Sequence, residues 1–189
     1  MALNYGQTAT VGIKFLNSYN GVANPATGVF FMEIMSESVN HKIPPLYSEG
    51  MRGIFDEGDS YAGPYSVEGD VELEAEPIAL GTLLAATMGA PTTTAVTSAY
   101  SHKFEPRTAD WDTLSANYPI AYFKNLDQDT IEKYHTLNAH GLELSIEAGS
   151  FLKAKCSFVG GSFGVESVGT VSGGWTPVYP TGKKFTWDQ

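Results

Sequence analysis

Five carboxylates occupy alternate positions of one short stretch, and they are the residues with the clearest potential chemistry: Glu68, Asp70, Glu72, Glu74 and Glu76. In an extended chain with about 3.3 Å of rise per residue, successive acids lie roughly 6–7 Å apart on one face. This acidic row repels itself unless it faces water, cations or basic side chains. A straight row does not supply the convergent oxygens of a calcium site. A solvated face and a surface that repels polyanions remain as interpretations.

A possible nucleophile motif follows later in the chain, where Gly160–Gly164 matches G-x-S-x-G. A serine nucleophile in this motif needs a helix after it, and an acid and a histidine later in the chain. The residues after it are rich in glycine without helical spacing, and the last histidine, His140, precedes the motif. The pattern therefore argues against a serine hydrolase.

Metal-binding patterns are equally incomplete. Asp127 and Asp129 open like a calcium loop, but position six of that loop would be Glu132 rather than glycine. The single cysteine, Cys156, has no Cys or His partners at metal-ligand spacing. We therefore expect no metal, no cofactor and no enzymatic activity.

The residues between the acids indicate the element that carries them. They are small or apolar: Val67, Gly69, Val71, Leu73 and Ala75. Strict alternation over this length predicts a β-strand with one face on a core and the other face acidic.

One helix is predicted over about residues 77–88. Pro77 suits the first turn, Gly89 suits the C-terminal cap, and Pro91 prevents continuation. The apolar residues at helical spacing are Ile78, Leu80, Leu83, Leu84 and Met88. We expect this face to pack against a sheet.

A β-hairpin is predicted between residues 142–147 and 153–158, because both segments alternate and a Gly-Ser pair separates them. The expected opposing pairs are Glu147 with Lys153, Ser145 with Lys155, and Leu144 with Cys156. Cys156 then lies on the apolar face as a small buried side chain. Further strands are expected near residues 28–35, 120–126 and 130–137.

Two long segments do not show sustained periodicity. Residues 36–66 are rich in Pro and Gly, and residues 160–180 are rich in Gly and Ser. The first segment also carries apolar side chains that a solvated loop does not need: Ile43, Leu46, Tyr47, Met51, Ile54 and Phe55. Burial against a neighbouring subunit would explain them, and packing on the chain's own sheet is the alternative.

Composition favours a mainly β protein. The chain has 189 residues, of which 42% are hydrophobic, and it contains 20 Gly, 10 Tyr and 10 Phe. We expect a single domain. Its net charge of −10 does not suit nucleic-acid binding through counterion release. The N-terminus lacks a signal-peptide pattern, and no apolar run approaches the ~20 residues of a membrane span. Residues 183–189 resemble the start of a strand, which suggests that the native polypeptide continues.

The order of these features resembles bacteriophage tail tube (major tail) proteins over most of residues 10–165. The segments that carry the resemblance are Val11–Lys14, Tyr19–Ala23, Met35–Val39, Tyr47–Gly53, Val67–Leu73, Ile78–Leu84, Gly141–Gly149 and Lys153–Gly160. They contain structural residues, so it is their order and spacing that are specific.

The resemblance implies a β-sandwich or small-barrel subunit with one flanking helix and long loops. It also implies hexameric rings that stack into a tube, in a virion component made in the host cytoplasm. The implied partners are other copies of the chain, a tape-measure protein, and tail terminator and tail-tip proteins, without a membrane. DNA would cross the lumen without specific binding. We expect several acids of the acidic row, from Glu68 to Glu76, to face that lumen, and the alternatives are that they face outward solvent or pair with basic residues on a neighbouring subunit.

A carbohydrate-binding or protein-binding β-sandwich, or a virion decoration module, is the alternative. It would need a concave aromatic patch, for which Trp111, Trp175 and Trp187 are the candidates.

Overall fold

A computed structural model describes residues 9–16, 28–47, 60–97, 99–106, 119–125, 129–171 and 174–187. The predicted fold class, mainly β with one helix, is confirmed. The elements are β1 (Thr10–Phe15), β2 (Phe30–Met32), β3 (Ile34–Glu37), β4 (Asn40–Lys42), β5 (Pro45–Tyr47), β6 (Ser60–Ala62), β7 (Ser66–Glu74), α1 (Pro77–Met88), β8 (Thr92–Val96), β9 (Ala99–Lys103), β10 (Ile120–Asn125), β11 (Thr130–Ser145), β12 (Lys153–Gly160) and β13 (Ser162–Ser167).

The main sheet curls back on itself, as in a small barrel. Its strand order is β2-β1-β10-β11-β12-β7-β3, with β13 also paired to β11 and β4 to β7. The two end strands, β2 and β3, are separated in sequence only by Glu33. The long strand β11 runs through both halves of the curl, and its pairing with β12 is irregular between Ala139 and Gly141. Such irregularities bend a strand, which lets β11 serve both halves.

The core fills the inside of this curl. It includes fully buried Tyr122, Tyr134, Phe158 and Leu73 from four different strands. Helix α1 joins the same core through Ala79, Leu83 and Ala86. The inside of the curl therefore buries one face of β7 and β12, which explains their alternation. Strand β10 is buried on both faces, because Ala121 and Phe123 belong to a second cluster that includes Leu16, Ile131 and Val171.

The helix has the predicted bounds but a different buried face. Its N-cap is Glu76, and the Gly89 N–H donates to the Ala85 carbonyl at 2.9 Å. Of the apolar set expected to be buried, only Leu83 is fully buried, and Ile78 is 49% exposed. Ala79 and Ala86 share the buried face with Leu83, and Leu80 packs partly against the core. Ile78 and Leu84 line the outer side of the helix.

The hairpin forms, but its predicted opposing pairs are wrong by two residues. Leu144 pairs with Ala154, Leu142 with Cys156, and Ser145 with Lys153. A shift of two residues keeps every side chain on its expected face, so Cys156 is fully buried as predicted. The connection is longer than expected, and Ser150 closes it through hydrogen bonds with Glu147.

The segments expected to be loops contain short strands. Within residues 36–66, β4 joins the main sheet, whereas β5 and β6 form a separate two-stranded ribbon. Within residues 160–180, β13 pairs with β11 and a 3₁₀ turn follows at Val168–Thr170. The sequence analysis also missed the exposed hairpin of β8 and β9.

A buried lysine forms ion pairs with acids on two other strands of the curl. The Lys124 ammonium donates to the Val39 carbonyl at 2.9 Å and lies 3.2 Å from the Glu132 carboxylate and 3.5 Å from that of Glu37. Its side chain is only 7% exposed. The Tyr134 hydroxyl donates to Glu132 at 2.7 Å, so the charges share one network.

Candidate assembly surfaces

The acidic row lies on β7 as the alternation predicted. Val67, Val71 and Leu73 are fully buried, whereas the acids between them reach the surface. Strand β7 is central in its half of the sheet, because β12 pairs along one edge and β3 and β4 along the other. Four of the five acids therefore form a row across the outer face of the curl.

Basic and hydroxyl side chains on neighbouring strands pair with this row. Lys42 pairs with Glu68. Lys155 lies 3.0 Å from Asp70, which also accepts a 2.7 Å hydrogen bond from Ser157. The other two pairings are the Ser36 hydroxyl with Glu72 at 3.5 Å and Lys184 with Glu74 at 2.5 Å. The surface is thus an array of paired charges rather than a bare negative wall.

The ionisation of Asp70 reflects this pairing. Hydrogen bonds from Ser157 and then Lys155 lower the pKa of the Asp70 carboxyl below its usual value. The same contact raises the pKa of Lys155. Both groups therefore stay charged at neutral pH, and the acidic row keeps its charge while its self-repulsion is reduced.

Glu76 differs from the other four acids. It is the N-cap residue of α1 and is only 9% exposed. Burial and the nearby Glu33 carboxylate raise the pKa of Glu76, against a smaller opposite effect of Lys184. Because β7 ends at Glu74, the chain turns before Glu76 could continue the row.

The predicted inter-subunit segment contains an exposed ribbon, which we call the arm and define as β5 and β6, residues 45–47 and 60–62. Leu46 is 53% exposed, Tyr47 67% and Tyr61 60%, and Ile43, just before the arm, is 49% exposed. Met51, Ile54 and Phe55 lie outside the described residues. Among the described residues, β5 and β6 pair with each other and not with the main sheet.

The base of the arm is held by the chain's own sheet. The Gly63 N–H donates to the Pro44 carbonyl at 2.9 Å, and a side chain at Gly63 would collide with that carbonyl. His41 on β4 stacks on the Phe163 ring at 4.1 Å between centroids. The segment therefore pairs with its own sheet through β4, whereas every residue of β5 and β6 is exposed.

A second apolar surface lies on the outer side of α1. This helix groove has a volume of about 630 Å³ and includes Phe30, Ile78, Leu84, Phe104 and Phe185 in its lining. Helix α1 carries no charged side chain, and it is apolar around its whole circumference. A helix of this kind is usually covered on all sides. Here the described residues leave its outer side uncovered.

The G-x-S-x-G motif does not form the turn that a serine nucleophile needs, and Asp127 of the calcium-like pattern lies outside the described residues. Ser162 begins strand β13 rather than a turn into a helix, and its hydroxyl donates to the His135 carbonyl at 3.2 Å. Within the described ranges, no cluster of His, Cys, Asp and Glu could hold a metal ion. No described helix is long and apolar enough to span a membrane.

The aromatic patch required by the alternative function is not formed by Trp175. Its ring contacts Phe31 and Phe123, and its indole N–H donates to Thr10 at 3.1 Å, so it is part of the packing between strands. Trp187 is 57% exposed, and Trp111 lies outside the described residues.

Two features of these surfaces were missed from sequence. The hairpin of β8 and β9 could have been found from its Thr-rich and Val-containing run after Pro91, which favours a strand. The helix groove had a weaker signal, namely a helix with no charged residue over its twelve positions.

Comparison with known proteins agrees with the fold. A sequence model of the family described as "Phage tail tube protein" matches residues 6–189. No curated protein sequence matches the chain.

Solved structures are similar to this chain at low sequence identity and with TM-scores below 0.5. A chain in a cryo-EM structure of the anti-feeding prophage baseplate is 10% identical, covering 84% of this chain and 91% of that one, with a TM-score of 0.49. A chain of the PVC extracellular contractile injection system sheath-tube complex is 7% identical, with coverages of 84% and 88% and a TM-score of 0.44. An Hcp protein is 12% identical, with coverages of 84% and 98% and a TM-score of 0.32. Since the family match extends over nearly the whole chain, the protein belongs to the phage tail tube protein family and is a structural protein.

Proposed function

We propose that copies of this tail tube protein assemble into hexameric rings, and that the rings stack into the tube of a phage tail. The tube encloses the tape-measure protein and conducts the genome, and terminator and tip proteins bind its ends. The protein is then part of the virion and is made in the host cytoplasm.

The observation that carries the proposal is the arm. A two-stranded ribbon is only marginally stable by itself in water, and this one exposes Leu46, Tyr47 and Tyr61. Exposed apolar side chains clustered on a projecting element favour a protein partner. In a self-assembling family, the partner that is always present at sufficient concentration is another copy of the same chain.

Electron microscopy of the purified chain tests the assembly. We expect tubes or rings, with six-fold symmetry and a constant axial repeat. A variant in which a short Gly-Ser turn replaces residues 46–61 should stay folded by circular dichroism but remain monomeric. Tubes of normal length and stability from this variant would show that the arm is not an assembly element.

We further place the acidic row, through Glu68, Asp70, Glu72 and Glu74, on the lumen side of the tube. Three of these acids are paired with lysines, whereas Glu72 is paired with a hydroxyl, so the four acids and their partners keep a net negative charge. A net negative lumen repels the phosphate backbone and keeps DNA mobile. The test is a Glu68→Lys/Glu72→Lys variant, whose tubes should retain DNA in a salt-dependent manner. Glu105→Lys is the control, because Glu105 is exposed beside Lys103, away from β7. A tube reconstruction with all four carboxylates on the outer surface would overturn this orientation.

A further inference from the structure

Among the parts of the chain that the structure describes, no residue closes the helix groove. None of the residues that line it belongs to the arm, among the parts of the chain that the structure describes. Phe30 and Ile78 on its wall are 43% and 49% exposed. Its volume of about 630 Å³ is in the range of pockets that enclose a sizeable apolar group, roughly 300–1,000 Å³.

Gly81 indicates that something approaches the helix closely from outside. It lies within α1 and lines the groove, and a methyl group built on it would have no described atom within 4 Å. Glycine inside a helix costs about 1 kcal/mol relative to alanine. None of the described residues packs against Gly81, so this glycine is best explained by a partner that packs closely against the helix backbone.

The arm offers an apolar face of matching character. Leu46 and Tyr61 are directly opposite each other in the ribbon, so their side chains lie side by side on one face. Tyr47, the next residue after Leu46, points to the other face. One face of the arm thus presents a joined pair of large apolar side chains with no charged residue within β5 or β6.

We infer that the Leu46–Tyr61 face of the arm docks into the helix groove of a second copy, against Gly81. This inference rests on the proposed function and names the surface that receives the arm. Because the arm and the groove are different patches, the contact is head-to-tail, and such contacts generate rings or open helical assemblies.

The area available suits this contact. A buried aromatic side chain removes about 150–250 Å² from water. Tyr61 and Leu46 are 60% and 53% exposed, so docking would remove about half of their surface from water, and the groove side chains that they cover add to the ~800 Å² per partner of a stable interface. As buried central anchors, they should dominate the affinity.

Photocrosslinking tests the pairing. The probe is p-benzoylphenylalanine in place of Tyr61, because it keeps an aromatic ring at the anchor position. The substituted chain is assembled with isotope-labelled unsubstituted chain and irradiated, and the adducts are mapped by mass spectrometry. We expect adducts between labelled and unlabelled chains within residues 78–85. The same probe at Tyr47 is the matched control on the opposite face of the arm, and it should give few adducts there.

Substitution of Gly81 provides a second measurement. Gly81→Leu should leave the chain folded but fill the groove, and Tyr61→Ala should remove an anchor. Each should raise the concentration needed for assembly by about 30-fold or more, as expected for loss of a central contact. Gly81→Ala should assemble less well than the unsubstituted chain although its fold is more stable.

The outcomes separate this inference from the proposed function. Tubes whose Tyr61 adducts lie elsewhere, or normal assembly of Gly81→Leu, would overturn the docking site and leave tube formation intact. If the unsubstituted chain forms no assembly under any condition, both are overturned. Adducts confined to a single chain would show that the arm folds back on its own groove, and they would also overturn the inference.

Discussion

Lys155 on β12 lies 3.0 Å from Asp70 on β7, at the middle of the acidic row. The Ser157 hydroxyl, two residues further along β12, donates to the other oxygen of the same carboxylate at 2.7 Å. One strand therefore supplies both partners of one acid, because β12 and β7 are paired in register over the whole row. Because these contacts involve an ionised carboxylate, their contribution to the stability of the protein depends on pH.

Asp70→Asn should lower the free energy of unfolding by about 0.5–1 kcal/mol at pH 7, since an exposed ion pair is weak. The pKa of Asp70 is lowered in the folded state, so its contribution is present above the ordinary carboxyl pKa and is lost as the pH falls through the folded value. The difference in the free energy of unfolding between the variant and the unsubstituted protein should therefore shrink as the pH falls below the ordinary carboxyl pKa of about 3.9. Chemical denaturation from pH 7 to pH 2.5 measures this. A difference that persists unchanged at pH 2.5 would rule out the ion pair as its source.

Lys124→Met should lower the free energy of unfolding by about 3–5 kcal/mol, because it leaves Glu37 and Glu132 without their shared cation in a buried site. Lys103→Met is the control, since Lys103 pairs with Glu105 at an exposed position and should change stability by less than about 1 kcal/mol. Equilibrium unfolding in urea compares them. Equal effects of the two substitutions would contradict a buried network.

Cys156 should resist alkylation in the folded protein. Burial raises the pKa of its thiol to about 12, so at pH 8 the thiol is both inaccessible and protonated. Iodoacetamide labelling, followed by mass spectrometry, should be slow in buffer and fast in denaturant. Rapid labelling of native protein would show that the thiol is accessible.

Cys156→Asp should abolish folding or assembly, because Cys156 is fully buried among apolar side chains and its replacement would bury an unpaired charge. Cys156→Ala should lower the free energy of unfolding by only about 1 kcal/mol, because it leaves a small cavity. Soluble yield and thermal unfolding distinguish the two. Normal yield and assembly of the aspartate variant would argue that the side chain is exposed in the functional protein.

Two glycines should respond in opposite directions to alanine. At Gly69 a methyl group would lie 2.4 Å from the Val39 Cα and 2.5 Å from the Ser38 carbonyl oxygen, so Gly69→Ala should cost about 1–3 kcal/mol. At Gly81 the space is open and the position is helical, so Gly81→Ala should stabilise the monomer by up to about 1 kcal/mol. Thermal unfolding of the two variants, under conditions that prevent assembly, provides the check. A stabilising Gly69→Ala would mean that β7 is less tightly packed against residues 38 and 39.

Short-range sequence patterns were sufficient to predict the strands and the helix whose structure depends on neighbouring residues. The alternation around β7 predicted which side chains are buried, and Pro77 and Gly89 predicted both ends of α1. These features depend on backbone geometry within a few residues, which a single sequence displays directly.

The tertiary structure decided how those elements meet. The sequence alone predicted the faces of the hairpin but not its register, because a two-residue shift preserves the face of every side chain. The burial of Lys124 depends on Glu37, which is 87 positions away, and the pairing of the acidic row depends on Lys42, Lys155 and Lys184 from three other segments. Long-range contacts of this kind leave no periodic signal, so only the folded chain shows that its acidic strand is charge-paired.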